Sequence, residues 1–473
     1  MTTEQPVRTR QTDAANDRID RATWKLCWVV VLGAFATGLD SSIVNIGLDS
    51  ITTELHSTLS TTQWIVSGYL LALAVSLPAA GWLGRRYGSG PVWLTALGFF
   101  TAASLACAVA STPEGLITAR IAQGLAGGVL IPTGQTILGA AVGPRRLGRV
   151  MGVLGIAASA APAIGPLVGG LILHSLPWPW LFAINVPIGI VGIMLGRKML
   201  PCSRPSDPGP MHWTGLASIS AGLALVVLAT SRWGDAGRLD PATVAIAACA
   251  AAALATFVVA TRRTAHPLLN LSLYRLPAFR AGSIAAACSG ALVFGSGVVH
   301  ALYFQLGHGQ NPLHAGMSLI GVAAATAITA PAAGRWIDRH GPAPAALVGG
   351  CLAVATTLPL AITPLDLPTP VVQLVLVAYG ASVSLVAIPA GVTAYAAVPS
   401  TNLADAITQV NILQRIGGSL GGAVCAVLIA SHTADLPTGF RLAFGALVVG
   451  AVGSLLAALL IASATRPGAI VEP

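Results

Sequence analysis

The feature that most constrains this chain is a series of long apolar runs without charged residues. Residues 281–334 contain no Asp, Glu, Lys or Arg, and shorter charge-free runs cover 65–84, 91–112, 151–172 and 343–365. A helix needs about 20 apolar residues to cross a hydrocarbon core about 30 Å thick. Only 9% of the 473 residues are charged, whereas soluble domains have about 25%. The chain is therefore predicted to be an all-α integral membrane protein.

Breaks at Gly, Pro and charged residues divide these runs into about fourteen predicted transmembrane helices. The run 281–334 is too long for one helix, so it is divided at the polar segment 306–316. The predicted spans are 24–48, 62–84, 91–111, 113–140, 150–173, 180–200, 213–231, 241–261, 280–305, 315–335, 343–363, 370–398, 405–432 and 441–464.

The positions of the basic residues predict the orientation of these spans. An even number of spans places both termini on one side of the membrane. With the termini in the cytoplasm, only Arg232, Arg238 and Arg441 fall in outer loops, and the other loop Lys and Arg residues are cytoplasmic. The net charge of +9 thus reflects topology, and no nucleic-acid partner is expected.

The sequence gives no sign of a metal, a cofactor or an enzyme active site. The seven cysteines lie mostly inside apolar spans and lack both metal-ligand and disulfide spacing. No cluster of carboxylates or histidines marks an interfacial catalytic site. We expect no bound cofactor and no enzymatic activity.

Two similar segments indicate an internal duplication. GWLGRRYGSGP begins at Gly81 and GRWIDRHGPAP at Gly334, and each joins two spans on the cytoplasmic side. The first follows the second span and the second follows the tenth, so two extra spans separate the repeats. The candidate gating residues in these loops are Gly81, Arg85, Arg86, Gly88, Gly334, Asp338, Arg339 and Gly341.

This spacing predicts two six-helix bundles with two inserted helices. We expect a cytoplasmic tail at 1–23, a first bundle at 24–205, the inserted pair at 206–265, a second bundle at 266–465 and a second tail at 466–473.

Two ionisable residues lie deep inside predicted spans and are candidates for function. Asp40 lies about 12 Å below the outer end of the first span, and Arg120 about 10 Å below the outer end of the fourth. If their helices are neighbours, the two charges meet in the bundle core. Such a pair is either a fixed structural salt bridge or a proton-linked pair, and we favour the second.

Other polar and aromatic residues in the spans are weaker candidates. Asp405 and Arg415, near the thirteenth span, either pair at a gate or are solvated at a helix end. His300 either takes part in coupling or is hydrogen-bonded packing. The residues expected to line a substrate cavity are Asn45, Trp64, Tyr69, Gln123, Gln135, His300 and Tyr303, although most of the aromatic ones are equally typical of packing.

Seven short motifs follow one another along the chain. They are LDSSIVN from Leu39, QWIVSGYLL from Gln63, GWLGRRYG from Gly81, RIAQGLAGG from Arg120, APAIGPLVGG from Ala161, WPWLFAINVPIG from Trp178 and NILQRIGGSLGG from Asn411. In this order they resemble the motifs of the major facilitator superfamily, specifically its drug:proton antiporter branch with fourteen spans. In this chain Arg85 stands where the family has Asp, and Gln414 and Arg415 stand in swapped order.

This resemblance implies the major facilitator fold and proton-coupled export of small amphiphilic compounds across the bacterial inner membrane. It implies a role in proton transfer for Arg120, and rocker-switch movement of the two bundles. The single intramembrane acid favours monovalent cations or neutral amphiphiles as substrates. Import, transport of one specific endogenous metabolite and a channel are the alternatives, and we expect a monomer. The motif associated with exporters includes Pro162, Gly165, Pro166, Gly169 and Gly170.

Overall fold

The computed structural model describes residues 19–200, 208–237, 239–363, 365 and 367–465. Within these ranges the chain is mostly helical and contains no strand. Most of the predicted tail 1–23 and all of the tail 466–473 lie outside them, as does Arg238. The first half contains α1 (Arg21–Glu54), α2 (Leu59–Ser76), α3 (Ala79–Tyr87), α4 (Ser89–Ala108), α5 (Pro113–Val142), α6 (Leu147–Ser175), α7 (Trp180–Ala183) and α8 (Asn185–Met199).

The rest of the described chain consists of an inserted pair and a second bundle. The inserted pair is α9 (Trp213–Ala236) and α10 (Pro241–Arg263). The second bundle contains α11 (Pro277–Leu302), α12 (Pro312–Ser318), α13 (Ile320–His340), α14 (Pro342–Ile362), α15 (Thr369–Ala396), α16 (Leu403–Ala430) and α17 (Leu436–Ala464).

The fourteen predicted spans correspond to helices of the described chain. Twelve helical segments are long and apolar enough to cross a membrane, and the bent pair α2 and α3 makes a thirteenth. α6, with 29 residues, occupies the predicted fifth span. The sequence predicted one straight second span at 62–84, but α2 and α3 meet at 55°. The bend falls at Leu77 and Pro78, because proline has no N–H to continue the helix ladder.

Polar caps mark where helices begin on the predicted outer side. At five helix starts, the side chain of the preceding residue accepts a hydrogen bond from a backbone N–H in the first turn. These residues are Thr58, Thr112, Asp240, Asn311 and Asp435. The first N–H groups of a helix have no partner within it, so such caps stabilise the helix start. The caps therefore fix the outer ends of these five helices.

The inserted pair lies beside the two bundles and contacts both. α9 packs against α2 of the first bundle and α16 of the second, while α10 packs mainly on α9. In the most apolar stretch of α10, 17% of the residues are buried, as expected for a helix that faces lipid. The exact domain limits drawn from the sequence stay predictions.

The two bundles meet most closely at the end that carries the two glycine loops. Here α6 of the first bundle packs along α13 of the second. A Cβ on Gly152 would lie 2.5 Å from the Ala330 carbonyl oxygen, and one on Gly334 would overlap the Gly148 carbonyl. Small residues therefore allow backbone contact between the bundles at this end.

Candidate functional site

Asp40 and Arg120, predicted to lie at the same depth, are in direct contact. α1 carries Asp40, α5 carries Arg120, and the two helices pack together. Arg120 Nη1 donates to Asp40 Oδ2 at 2.6 Å, and the side chains are 1% and 0% exposed respectively. A lone buried charge costs several kcal/mol, so removal of either partner leaves the other strongly destabilised.

Three polar side chains complete the cluster around this ion pair. Gln123 Nε2 and Asn185 Nδ2 each donate to Asp40 Oδ1 at 2.8 Å. Arg120 Nη1 also donates to Gln123 Oε1 at 2.7 Å, and Gln123 Nε2 donates to Ser104 Oγ at 2.7 Å. Both carboxylate oxygens of Asp40 are therefore occupied by donors.

Aromatic rings and a backbone carbonyl hold the guanidinium in place. Its central carbon lies 4.1 Å from the centroid of the Tyr69 ring and 5.6 Å from that of Phe182. Arg120 Nε donates to the Ile65 carbonyl oxygen at 3.1 Å. Arginine stays protonated in proteins, so Asp40 is the member of the pair that can gain or lose a proton. Protonation of Asp40 would remove its attraction for Arg120, which keeps its other partners.

The exporter-type motif in α6 lies against α1 next to Asp40. A Cβ on Gly165 would overlap the Ser42 side chain, and one on Gly169 would lie 3.1 Å from Ile43 Cγ1. A Cβ on Gly170 would contact no neighbouring helix within 4 Å among the described residues. The side chains of Pro162 and Pro166 lie outside the described part of the chain. The two contacting glycines thus bring α6 to within backbone distance of the helix that carries the buried acid.

The second glycine loop forms an ion pair that joins the bundles, which we call the second gate. Asp338 in α13 accepts hydrogen bonds from the backbone N–H groups of Gly148 and Arg149 at 2.8 and 3.2 Å. Arg149 Nε also donates to Asp338 Oδ2 at 2.9 Å. A carboxylate at the start of α6 is favourable because helix N-termini carry a partial positive charge.

The first glycine loop forms a corresponding pair, the first gate, between Arg85 in α3 and Asp405 in α16. Arg85 Nη2 also donates to the Leu268 carbonyl oxygen at 3.2 Å, and the Asn270 N–H donates to Asp405 Oδ2 at 3.3 Å. A Cβ on Gly81 would lie 2.9 Å from Asp405 Oδ1. Both side chains are mostly buried, so the loss of either charge would leave the other in a site of low polarity, which is destabilising.

Glycines end the helices of both loops. Gly88 follows α3 with φ of 85° and Gly341 follows α13 with φ of 80°, in the left-handed region that favours glycine. Arg86 and Arg339 are exposed beside them. The repeated Gly in the two sequence motifs is therefore explained by the turn geometry, and the exposed Arg residues fit the predicted cytoplasmic surface.

The structure separates Asp405 from Arg415, which the sequence had considered together. Asp405 is 4% exposed and pairs with Arg85, so it is not solvated at a helix end, and its role in a gate stays a prediction. Arg415 lies ten residues further along α16, about 15 Å away along the helix. The two residues therefore belong to different parts of the molecule.

The seven residues expected to line a substrate cavity do not share one cavity in this conformation. Tyr69 and Gln123 are buried in the Asp40 cluster, at 1% and 0% exposure, while Asn45 and Trp64 are exposed. Their role in substrate binding stays a prediction. Gln135 Oε1 accepts a hydrogen bond from Asn411 Nδ2 at 2.7 Å and so joins α5 to α16.

His300 and Tyr303 lie in an aromatic cluster of the second bundle. The His300 ring is 5.1 Å from Tyr379 and 6.0 Å from Phe444 between centroids, and Tyr303 is 5.6 Å from Phe444. His300 Nε2 has no hydrogen-bond partner among the described residues. These contacts agree with a packing role for His300. The ring packs against aromatic side chains, whereas the sequence had suggested packing through a hydrogen bond.

Sequence reasoning missed three members of these sites. Asn185 and Ser104 contact the Asp40 cluster, and Arg149 completes the second gate. Asn185 is a polar residue in the otherwise apolar LFAINVPIG, which is the one signal that marked it. Ser104 and Arg149 look like ordinary helix and loop residues, and only the packing of separate helices brings them to the sites.

Comparisons with known proteins agree with this architecture. The sequence profile of the Major Facilitator Superfamily matches residues 30–422. The chain is 30% identical over 434 residues to a multidrug resistance protein B homolog of Mycobacterium tuberculosis, covering 90% of this chain and 80% of that protein. It is 29% identical over 416 residues to the tetracenomycin C resistance and export protein of Streptomyces glaucescens, covering 87% and 77% of the two chains.

A solved structure shows the same fold at much lower identity. The proton:xylose symporter XylE, bound to 6-bromo-6-deoxy-D-glucose, superposes with a TM-score of 0.64 at 14% identity. The match covers 93% of this chain and 95% of the symporter. At this identity the likeness concerns the fold alone.

Proposed function

Because the chain belongs to the Major Facilitator Superfamily and is a multi-pass membrane transporter, we propose that it is a proton-coupled antiporter that exports small amphiphilic organic compounds. The buried Asp40 and Arg120 pair is the observation that carries the proton coupling. The names of the two bacterial relatives, a multidrug resistance homolog and an antibiotic export protein, support efflux of small organic molecules.

In the proposed cycle, movement of the two bundles exposes Asp40 alternately to each side of the membrane. Asp40 takes up a proton from the outside and loses its attraction for Arg120. Opening of the two gates toward the cytoplasm then releases the proton and admits substrate. The membrane potential supplies about 2.3 kcal/mol per charge per 100 mV, and a pH gradient adds to it.

The arrangement of the gates supports this cycle. Both ion pairs lie at the end with the glycine loops, which the positive-inside rule places in the cytoplasm with both termini. In this conformation that end is closed by the contacts of Arg85 with Asp405 and of Asp338 with Arg149. We further propose that a monomer suffices and that the proton gradient drives transport without a bound cofactor.

The test is transport in everted membrane vesicles with an imposed pH gradient. A panel of fluorescent cationic, neutral and anionic amphiphiles is offered to the wild type, to Asp40→Asn and to Asp49→Asn. Asp49 lies in the same helix but is exposed, so it is a matched control. We expect Asp40→Asn to abolish gradient-driven accumulation and Asp49→Asn to retain it. Full accumulation by Asp40→Asn refutes the proton-coupling role.

A further inference from the structure

Arg415 is a charged side chain at the middle of a membrane helix. It lies twelve residues, about 18 Å, beyond the start of α16, a helix of 28 residues. No ion pair or hydrogen bond to its guanidinium occurs among the described residues, and the guanidinium carbon lies 5.8 Å from the centroid of the Phe294 ring. Arg120, by contrast, has an acid, an amide and a carbonyl as partners. A membrane-embedded charge without an anionic or hydrogen-bonding partner among the described residues indicates a functional site.

The Arg415 side chain faces a cavity of about 150 Å³ between the bundles. Helices of the first bundle, the inserted pair and the second bundle all contribute to its wall. Within the described part of the chain no acid lines it, and Ser419 is its other polar side chain. The remaining lining side chains are apolar.

We propose that this cavity binds the anionic group of an amphiphilic organic acid, with Arg415 as its counter-ion. The planar guanidinium presents paired donors that match a carboxylate or sulfonate, and Ser419 offers one more hydroxyl donor. The apolar wall receives the ring or chain of the same molecule. This inference rests on the proposed function and names the substrate class of the transporter.

The charges in the membrane disfavour the cationic substrates that the sequence had suggested. Asp40 is 0% exposed, and its carboxylate oxygens already accept three hydrogen bonds. It therefore offers no free face to an ammonium group in this conformation. A cation in the Arg415 cavity would meet a like charge in a medium of low dielectric constant. An acid, in contrast, compensates an embedded charge that lacks a protein partner among the described residues.

The inserted helix α9 gives the cavity one of its walls. Leu223, Val226 and Val227 of α9 line the cavity together with Arg415. Without this helix the guanidinium would face hydrocarbon, since α9 covers the edge where the two bundles meet. The inserted pair thus has a defined contribution to the site.

A fatty acid has the same chemistry as such a substrate. The midplane lies about 15 Å from either headgroup layer, so a phospholipid phosphate at its usual depth does not reach Arg415. A free carboxylic acid with an apolar chain reaches Arg415 only if its carboxylate leaves the headgroup layer. A fatty acid is therefore the competitor of choice in a binding measurement.

The test measures binding of three probes that share a naphthalene ring: 2-naphthylacetate, 2-naphthylethanol and 2-naphthylethylammonium. Tritiated probes are bound to the purified full-length protein and followed by scintillation proximity. We expect the acid to bind at least about tenfold more tightly than the alcohol, as for a hydrogen-bonded charge pair. Arg415→Gln removes this preference, and Arg415→Lys keeps part of it. An acid that binds no better than the alcohol, or Arg415→Gln weakening all three probes equally, overturns the proposal.

Two controls separate this site from the fold and from proton coupling. Val227→Trp fills the cavity and is expected to weaken the binding of the acid while the protein stays monodisperse on size exclusion. Probe binding needs no proton gradient. The comparison of the acid, the alcohol and the amine is therefore independent of whether Asp40→Asn loses or keeps proton coupling. Displacement of naphthylacetate by oleate, with no gradient-driven export of naphthylacetate, assigns the cavity to a lipid-derived acid and overturns the substrate proposal.

Discussion

The two gates occupy equivalent positions in the two bundles but carry opposite charges. In each, the charged loop residue lies four positions after a contacting glycine, as Arg85 does after Gly81 and Asp338 after Gly334. In each, its partner is the third residue of a helix that follows a 3₁₀ turn, which is Asp405 in α16 and Arg149 in α6. The acid and the base have exchanged places.

In both gates a basic and an acidic residue face each other, and the loop carries the base in one and the acid in the other. Arg85 stands where the family resemblance implies Asp, and here Asp405 supplies the acid from the other side. We expect the second gate to be the stronger of the two. Asp338 accepts hydrogen bonds from two N–H groups at a helix start, whereas Arg85 places a cation near the start of α16, where a positive charge is unfavourable.

The largest effect is expected from Arg85→Asp, which places two acids at the first gate. Like charges in a mostly buried site cost several kcal/mol, so we expect the gradient-driven transport rate to fall about tenfold or more. The double variant Arg85→Asp with Asp405→Arg rebuilds the charge arrangement of the second gate and is expected to recover most of the rate. Vesicle transport normalised to protein content measures both. A double variant as poor as the single one contradicts a pairing role.

A smaller effect is expected from neutral substitution of the two acids. Asp338→Asn loses one anionic acceptor that serves two backbone N–H groups and Arg149, whereas Asp405→Asn loses fewer contacts. We measure amide hydrogen exchange around Gly148 in Asp338→Asn and around Asp405 in Asp405→Asn. The exchange rate should rise more in the first variant than in the second. Equal protection changes in the two variants would mean that the gates are of equal strength.

The glycine beside each gate gives the next comparison. A Cβ at position 334 meets the backbone of Gly148, which has no room to move, but a Cβ at 81 meets mainly the Asp405 and Thr408 side chains. We expect Gly334→Ala to lower thermal stability by several degrees and Gly81→Ala by clearly less. Differential scanning fluorimetry of the purified variants measures this difference. A larger loss for Gly81→Ala contradicts the close packing of α6 against α13.

Much of the fold was predictable because the membrane imposes it. Apolar runs, helix caps and loop charges act over short stretches of sequence, and the predicted spans match the helices within a few residues. The bend between α2 and α3 was missed because Pro78 lies in the middle of a run of uniform hydropathy, where length alone favours one straight helix.

The site was predictable only where the topology fixed depth. Asp40 and Arg120 were paired in advance because each could be placed relative to the outer membrane surface. Asp405 was considered with Arg415 because the two are close in sequence, whereas its partner, Arg85, is 320 positions away. Pairing across bundles depends on helix packing that no local pattern records, and this also explains why the cavity at Arg415 was not foreseen.

A comparison of two transport modes in proteoliposomes decides whether Asp40 carries the coupling proton. The probe is the member of the fluorescent panel that the wild type transports fastest. One assay imposes a pH gradient, and the other loads the same probe on both sides and follows its exchange at uniform pH. We predict that Asp40→Asn loses gradient-driven accumulation, because a neutral residue cannot carry the proton, and retains exchange, because exchange of the probe needs no net proton transfer. If Asp40→Asn accumulates the probe at the wild-type rate, or if only its exchange changes, Asp40 does not carry the coupling proton.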